Sequence, residues 1–153
     1  MYLQGTVGAS GYTLCLLNQN TSVSVYALDR DETAIEAGQS FVKKYAPRLK
    51  LIHGCFGRMA ELVPQAVDGI VLDIGVSSMQ IDMPERGFSF QKDGPLDMRM
   101  EQTGLTAAQV VNTFKENELA DIIFQYGEEK KSRLIAKRIV ERRREKPFET
   151  TLE

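Results

Sequence analysis

The sequence of 153 residues has few of the side chains that bind metals or form disulfides. It contains two cysteines, Cys15 and Cys55, a single histidine, His53, and no tryptophan. The cysteines lie far apart and outside any metal-ligand spacing, and a structural zinc site usually needs four ligands, so we predict no metal site. So few cysteines fit a reducing compartment, and we expect a cytoplasmic location.

Long apolar runs and an N-terminal targeting pattern are also missing. No run approaches the roughly 20 apolar residues that a membrane helix requires, so we predict no membrane partner. The first residues lack a basic region followed by an apolar core, and we expect no signal peptide. Hydrophobic residues make up 42% and charged residues 26% of the chain. These fractions are typical of a globular protein with a real core.

The net charge of −2 conceals a strongly basic segment. Residues 130–146 carry nine basic and two acidic side chains, a local charge of +7, so the rest of the chain carries −9. A local basic stripe attracts phosphate even when the whole protein is acidic. The alternative interpretation is a solvated helix face without a partner.

Short apolar runs alternate with helical patterns over the first hundred residues. Strands are predicted at 23–28, 49–52 and 69–72, and a helix at 32–45. Strands that alternate with helices indicate βαβ units and a parallel sheet. The predicted fold class is therefore α/β.

After residue 100 the pattern becomes helical. Thr106 is the predicted N-cap of a helix over 107–114, and further helices are predicted over 116–125 and 128–144. The predicted division is into an α/β domain and a helical domain, residues 1–100 and 101–153.

Three glycines follow the short apolar start of the chain, in the stretch GTVGASGYT. Gly5, Gly8 and Gly11 allow a tight turn and the close approach of a ligand, and the next helix would direct its N-terminus at that ligand. Asp29 ends the next strand 18 residues after Gly11. An acid at this distance accepts ribose hydroxyls in nucleotide-binding α/β folds. The pattern favours a nucleoside cofactor, with a plain turn as the alternative.

Two more residues follow predicted strands. Asp73 ends the apolar run of VDGIVLDIG, and Phe56 follows another strand in HGCF. A carboxylate at the end of a parallel strand lies in the crevice where such sheets bind ligands, and an aromatic ring there can flank an adenine. The alternatives are a loop cap for Asp73 and a core position for Phe56. Asp31 is expected to cap the following helix.

The stretch 77–100 has a composition that suits neither a helix nor a strand. A long, chemically rich loop after a strand is where an α/β protein keeps its site. The run LDIGVSSMQIDMPERGFSFQKDGPLDMRM resembles the signature of the RsmH (MraW) family, S-adenosylmethionine-dependent methyltransferases of ribosomal RNA. GTVGASGYT, ALDRD, HGCF, YGEE and IVERRREKP agree with that family in order and spacing. The resemblance covers the whole chain but only about the first half of a full-length member.

The resemblance implies methyl transfer from S-adenosylmethionine to N4 of a cytidine in the decoding centre of small-subunit (16S) ribosomal RNA. The implied fold is a partial Rossmann-like class I methyltransferase sheet followed by part of a helical substrate-binding domain. The implied partner is small-subunit ribosomal RNA or the 30S subunit.

The resemblance also implies the residues of the site. The cofactor residues would be Ser10, Gly11, Tyr12, Asp29, Phe56, Asp73 and Gln80. The residues facing the target cytidine would be Arg86, Asp93, Asp97 and Arg99, and those on RNA phosphates Arg133, Lys137 and Arg144. Asp73 and Asp97 are both candidate acceptors for the N4–H hydrogen, and the choice between them stays open.

Departures from the family pattern favour a non-catalytic function. The family has an acid where Gln4 stands and a glycine where Ser10 stands, so we expect weaker cofactor binding and strain at a positive φ. A chain of half the family's length would expose an apolar sheet edge, through which it could self-associate. The alternative function is a non-catalytic remnant that binds RNA or a partner. An NAD-dependent dehydrogenase fits the glycine loop but not DGPLDMRM.

Overall fold

The computed structural model describes residues 1–8 and 10–153. These residues form two compact units, Met1–Met79 with Met100–Gln102, and Gln80–Arg99 with Thr103–Glu153. Within the described ranges, no helix is long and apolar enough to cross a lipid bilayer. The division at residue 100 stays a prediction, and the compact units assign residues 80–99 to the helical part.

The first unit is built on a parallel sheet with the strand order β3-β2-β1-β4. The strands are β1 (Tyr2–Gln4), β2 (Val25–Asp29), β3 (Leu49–His53) and β4 (Gly69–Val71). The predicted α/β class is confirmed, and the arrangement is that of part of a Rossmann-like sheet. The chain adds β2 and β3 on one side of β1 and β4 on the other, so the strand order reverses between β1 and β4. Open α/β sheets bind ligands outside the carboxyl ends of the strands at such a point.

The helices of the first unit are α1 (Gly11–Gln19), α2 (Glu32–Tyr45) and α3 (Met59–Leu62). The predicted bounds of α2 are confirmed, and so is its cap, since the Asp31 carboxylate accepts from the Thr33 backbone N–H at 3.1 Å. Such a cap satisfies one of the four free N–H groups at the start of a helix.

Apolar side chains cover both faces of the sheet. One cluster contains Val7, Leu17, Val25, Ala27, Tyr45 and Leu49. The other contains Leu3, Tyr26, Leu28 and Val63. Successive residues of β2 enter opposite clusters because strand side chains alternate between faces. Full burial of one such aliphatic side chain stabilises the fold by about 1.5–3 kcal/mol, and together these contacts fix where each strand ends.

The second unit is helical. Its helices are α5 (Ala107–Thr113), α6 (Glu116–Gln125) and α7 (Ser132–Arg142), and α4 (Ser78–Asp82) spans the division between the units. The predicted cap at Thr106 is confirmed, because its hydroxyl accepts from the Gln109 backbone N–H at 3.1 Å within a capping box. Leu119 and Ala120 of α6 pack against Ala136 of α7.

Two predictions of local structure were wrong. The helix predicted over 128–144 begins at Ser132 and ends at Arg142. Glu128 has a positive φ of 52°, which a right-handed helix does not admit, so the turn after α6 is longer than expected. The stretch predicted to lack helix contains α4 at Ser78–Asp82. No glycine or proline interrupts these five residues, and Pro84 prevents the helix from continuing.

Gly94 allows two backbone segments of the second unit to touch. A Cβ atom at Gly94 would overlap the carbonyl group of Pro84. A Cβ atom at Gly87, whose φ is +73°, would overlap the carbonyl oxygen of Pro95. The segments around PERG and DGPLD therefore pack backbone against backbone, which orders a region that has little apolar core of its own.

We predict that Gly94→Ala lowers the free energy of unfolding by about 1–3 kcal/mol, because the added methyl group forces the two backbones apart. Urea unfolding followed by circular dichroism measures the change. Gly57→Ala is the control, since its Cβ would meet only the Cys55 sulfur at 3.6 Å. Equal midpoints for the two variants would contradict the close approach.

Candidate functional site

The carboxylate of Asp29 connects the glycine loop to the entry of α2. Its Oδ2 accepts from the Gly8 backbone N–H at 3.0 Å, and its Oδ1 accepts from the Asp31 N–H at 2.9 Å. Both bonds are charge-assisted, and such bonds are stronger than bonds between neutral groups. The end of β2 thus holds the loop that follows β1, and both lie at the carboxyl edge of the sheet.

Gln4 lies beneath this loop with 1% of its surface exposed. Its amide Nε2 donates to the Thr6 carbonyl at 2.7 Å, and its Oε1 accepts from the hydroxyl of buried Thr13. The neutral amide therefore satisfies both a carbonyl and a hydroxyl group, which a carboxylate could not do. In the fold, Gln4 joins β1 to the loop after it and to α1. The weaker cofactor binding expected from Gln4 stays a prediction.

Ser10 precedes α1 and has a φ of +64°, in the left-handed region. The sequence-based expectation of a positive φ at this position is confirmed. Its backbone N–H donates to the Val7 carbonyl at 2.7 Å, and its carbonyl accepts from the Leu14 N–H at 3.0 Å. These bonds hold Ser10 in a conformation that glycine adopts at no steric cost.

Phe56 and Asp73 lie at the same edge. A Cβ atom at Gly5 would be 2.8 Å from the Cβ of Phe56 and would also overlap the Leu72 side chain, so the residue after β1 must be small. The Asp73 backbone N–H donates to the Thr6 hydroxyl at 2.8 Å. The side chain of Asp73 is exposed and forms no hydrogen bond or ion pair among the described residues.

The first unit thus contains six of the seven residues expected at the cofactor. They are Ser10, Gly11, Tyr12, Asp29, Phe56 and Asp73. Gln80, the seventh, belongs to the second unit, where its side chain is buried. Their role in cofactor binding stays a prediction.

Three of the residues expected at the target cytidine form a cluster in the second unit. The Asp97 carboxylate pairs with the Arg99 guanidinium through both oxygens, the shortest distance being 2.7 Å from Oδ2 to Nη2. Arg86 is buried and donates to the Arg99 carbonyl at 3.2 Å. The hydrogen bond from Arg99 lowers the pKa of Asp97, with smaller charge contributions from Arg99 and Arg86. Asp97 is therefore a weak proton acceptor.

Asp93, the fourth residue expected at the target cytidine, bonds to backbone N–H groups instead of to the arginines. Its Oδ1 accepts from the Gly94 N–H at 3.1 Å and from the Leu152 N–H at 3.4 Å. A bridge between Pro95 and Thr150 lies beside these bonds. In this structure Asp93 joins the DGPLD segment to residues 150–152. The contact of Asp93 with a substrate stays a prediction.

Several cations of the basic segment have partners inside the protein. The Arg142 guanidinium lies 4.9 Å from the centre of the Phe148 ring, and Arg143 donates to the Val111 carbonyl at 2.7 Å. The Lys146 ammonium bonds to Glu153 and lowers the pKa of that carboxyl to about 2. These three cations therefore already interact with groups of the protein itself.

The three cations expected on RNA phosphates are exposed, but they do not share one helix. Arg133 and Lys137 lie on α7, and Lys137 forms a long 3.9 Å pair with Glu141. Arg144 lies beyond the end of α7, so it is not on the helix that was predicted over 128–144 to include all three cations. The helix ends two residues earlier than the predicted end at residue 144.

Sequence reasoning missed several supporting residues. Thr6 and Thr13 bond to Asp73 and Gln4, and no pattern in the sequence distinguishes these threonines from others. Phe124 and Tyr126 are two exposed aromatic residues that precede the basic segment, and no role was expected for them from the sequence. Their proximity in sequence to Lys130 was a signal that could have identified them.

Comparisons with known proteins show what this chain is similar to. A family model described as the MraW methylase family matches residues 1–153. The ribosomal RNA small subunit methyltransferase H of Paramagnetospirillum magneticum is 56% identical over 99% of this chain and 48% of its own length. The proteins of the same name from Rhizobium etli and Bartonella henselae are 55% and 56% identical, and the chain covers 44% and 42% of them. The chain spans about half the length of these relatives.

We predict that Ser10→Gly raises the free energy of unfolding by about 0.5–1 kcal/mol. Relief of left-handed strain contributes about 1–2 kcal/mol, and the greater freedom of glycine in the unfolded chain offsets part of that gain. Ser10→Ala is the matched control, because it removes the hydroxyl but keeps the strain, so it should bring no gain. Thermal unfolding compares the two, and a destabilised glycine variant would show that the serine is unstrained.

We also predict that Asp97→Asn lowers the free energy of unfolding at neutral pH by about 1 kcal/mol, since one partner of a partly exposed ion pair is lost. The pKa of Asp97 is lower in the folded than in the unfolded chain. Its stabilisation is therefore present above the unfolded value of 3.8 and is lost as the pH falls through the folded value.

Urea unfolding of both chains from pH 7 to pH 2 measures this difference, which should shrink only at the acid end. Asp82→Asn is the control, because the Asp82 carboxylate forms no ion pair within the described part of the chain. A difference between Asp97→Asn and the parent chain that persists undiminished at pH 2 would contradict the ion pair as its cause.

Proposed function

Because the chain belongs to the MraW methylase family, we propose that it takes part in S-adenosylmethionine-dependent methylation of small-subunit (16S) ribosomal RNA. The observation that carries the proposal is the bridge from Asp29 to the glycine loop at the carboxyl edge of a parallel sheet. Nucleotide ligands of such sheets bind where the strand order reverses, which here is between β1 and β4. A ribosomal RNA substrate would place the reaction in the cytoplasm.

In this proposal Asp29 accepts the ribose hydroxyls of the cofactor. A carboxylate has about four acceptor positions, and the bonds from Gly8 and Asp31 leave room for others. Phe56 flanks the adenine from the end of β3. The cofactor's methionine part meets the residues at the start of α1, Ser10, Gly11 and Tyr12, and Asp73 and Gln80 complete the contacts.

The residues of the chain serve mainly to place the reacting atoms. S-Adenosylmethionine supplies a methyl group on a sulfonium, and its transfer is an in-line displacement, so alignment of nucleophile and methyl group contributes most. The proposed nucleophile is N4 of a cytidine in the decoding centre. Its lone pair is delocalised into the ring, and a hydrogen-bond acceptor for N4–H favours the geometry needed for attack.

Asp73 suits this acceptor role better than Asp97. Both oxygens of Asp97 are engaged by Arg99, which also lowers the pKa of the carboxyl. The Asp73 carboxylate forms no bond among the described residues. In the proposal Asp97, Arg99 and buried Arg86 therefore position the target nucleotide together with Asp93, and Asp73 receives the N4–H hydrogen bond.

The RNA backbone is proposed to meet the exposed cations of residues 130–146. The proposed phosphate contacts are Arg133, Lys137 and Arg144. Each contact would release a counterion from the RNA, so binding would weaken as the salt concentration rises. The partner is small-subunit RNA or the assembled 30S subunit.

A second function is a non-catalytic chain that binds RNA or another protein. The observation that favours it is the apolar run that starts in β4 and continues beyond it, where Ile70, Leu72, Ile74 and Val76 are all exposed. β4 pairs only with β1 among the described strands, so an apolar edge is open to self-association. Sedimentation velocity over a range of concentrations tests this, because an edge that associates shifts the distribution with concentration.

Calorimetric titration of the full chain with S-adenosylmethionine tests the first function. We predict saturable one-to-one binding that Asp29→Ala weakens at least tenfold, because ribose acceptors and the hold on the glycine loop are lost together. Arg138→Ala is the control and should leave the affinity unchanged.

Circular dichroism of each variant shows whether it is folded. Equal affinities for the two folded variants would contradict the proposed pocket. A folded parent chain that does not bind S-adenosylmethionine would favour the non-catalytic function.

A further inference from the structure

The second unit contains a cavity of about 340 Å³ where α6 ends and α7 begins. Its walls are Ala120, Asp121, Phe124, Lys130, Ser132 and Arg133. Pockets for small ligands begin at roughly 300 Å³, so the cavity can receive a single planar ring. It presents an aromatic ring, one carboxylate and two cations to the same volume, and none of these groups belongs to the cofactor residues.

Two aromatic rings at this place are left largely in solvent. Phe124 is 57% exposed and Tyr126, just beyond α6, is 84% exposed. Neither ring is part of the apolar cluster around Leu119 that holds α6 against α7. Exposed aromatic faces beside cations are typical of surfaces that stack unpaired bases, whereas a duplex keeps its base faces covered.

The two cations of the cavity differ from others in the basic segment. Neither Lys130 nor Arg133 has an ion pair within the part of the chain that the structure describes. Arg143 and Lys146, by contrast, are bonded to the Val111 carbonyl and to Glu153. An arginine fork matches the oxygens of a phosphate, and a lysine adds a flexible point charge.

The carboxylate of Asp121 favours a nucleotide over a bare phosphate as the ligand of the cavity. A phosphate beside the Asp121 carboxylate would be repelled, because both groups are negatively charged. A base presents N–H groups that a carboxylate accepts. The base therefore suits the part of the cavity lined by Phe124 and Asp121, and the phosphate suits the part lined by Lys130 and Arg133.

We infer that this cavity binds one unpaired RNA nucleotide, with its base stacked on Phe124 and its phosphate held by Lys130 and Arg133. The inference rests on the proposed function, since that function makes RNA the ligand. It deepens that proposal by assigning the first turn of α7 to single-stranded rather than paired RNA.

The test is binding of a fluorescent single-stranded RNA of eight nucleotides, and of the same strand in a duplex, to the full chain. We expect the single strand to bind more tightly than the duplex. Phe124→Leu should weaken single-strand binding about tenfold, because an aliphatic side chain cannot stack, and Phe124→Trp should restore it. Arg133→Gln should lower the dependence of log K on log salt by about one phosphate contact.

Arg58→Gln is the charge-matched control, because Arg58 lies in the first unit and pairs with Glu61. Urea unfolding of each variant confirms that the comparison is between folded chains. Equal affinities of Phe124→Leu and the parent chain would overturn the inference. So would preference for the duplex, or no binding of either RNA, which would leave a protein partner for this surface.

The outcome is separable from that of the proposed function. Titration with S-adenosylmethionine reports only on the cofactor residues, and single-strand binding reports on Phe124 and Arg133. A chain that binds the cofactor but shows no effect of Phe124→Leu keeps the function and loses this site. A chain that stacks RNA on Phe124 without binding the cofactor keeps the site and loses the function.

Discussion

The carboxylate of Asp29 holds together the part of the fold on which the proposed nucleotide site depends. One oxygen fixes Gly8 and the other fixes Asp31, so a single side chain sets both the loop after β1 and the start of α2. It can do so because the strand before it is buried in two apolar clusters, one on each face of the sheet. Local polar geometry at the edge therefore depends on packing along the whole strand.

The second unit reaches order by other means. Gly94 and Pro84 bring two backbones into contact, and the pair of Asp97 with Arg99 closes the same region. Buried Arg86 donates to the Arg99 carbonyl and is part of this polar structure. A region held by backbone contacts and charge-assisted bonds can be ordered without a large apolar core, which is compatible with the polar substrate contacts proposed for it.

The open edge of the sheet at β4 is relevant to both proposed functions. The chain covers about half of each long relative, and β4 has an exposed apolar run after it. Residues attributed to the cofactor lie mostly in the first unit, and residues attributed to RNA lie in the second. The chain therefore contains the residues proposed for both roles, which the first proposed function requires, and an open sheet edge, which the second requires.

The sequence by itself determined the α/β class, the bounds of α2 and the cap at Thr106, because periodicity and capping act over a few neighbouring residues. It also indicated the positive φ at Ser10. Only the tertiary structure decided that Gln4 bonds to Thr13 and that α7 begins as late as Ser132. Those outcomes depend on contacts between separate elements and on the conformation of a turn, which no local pattern encodes.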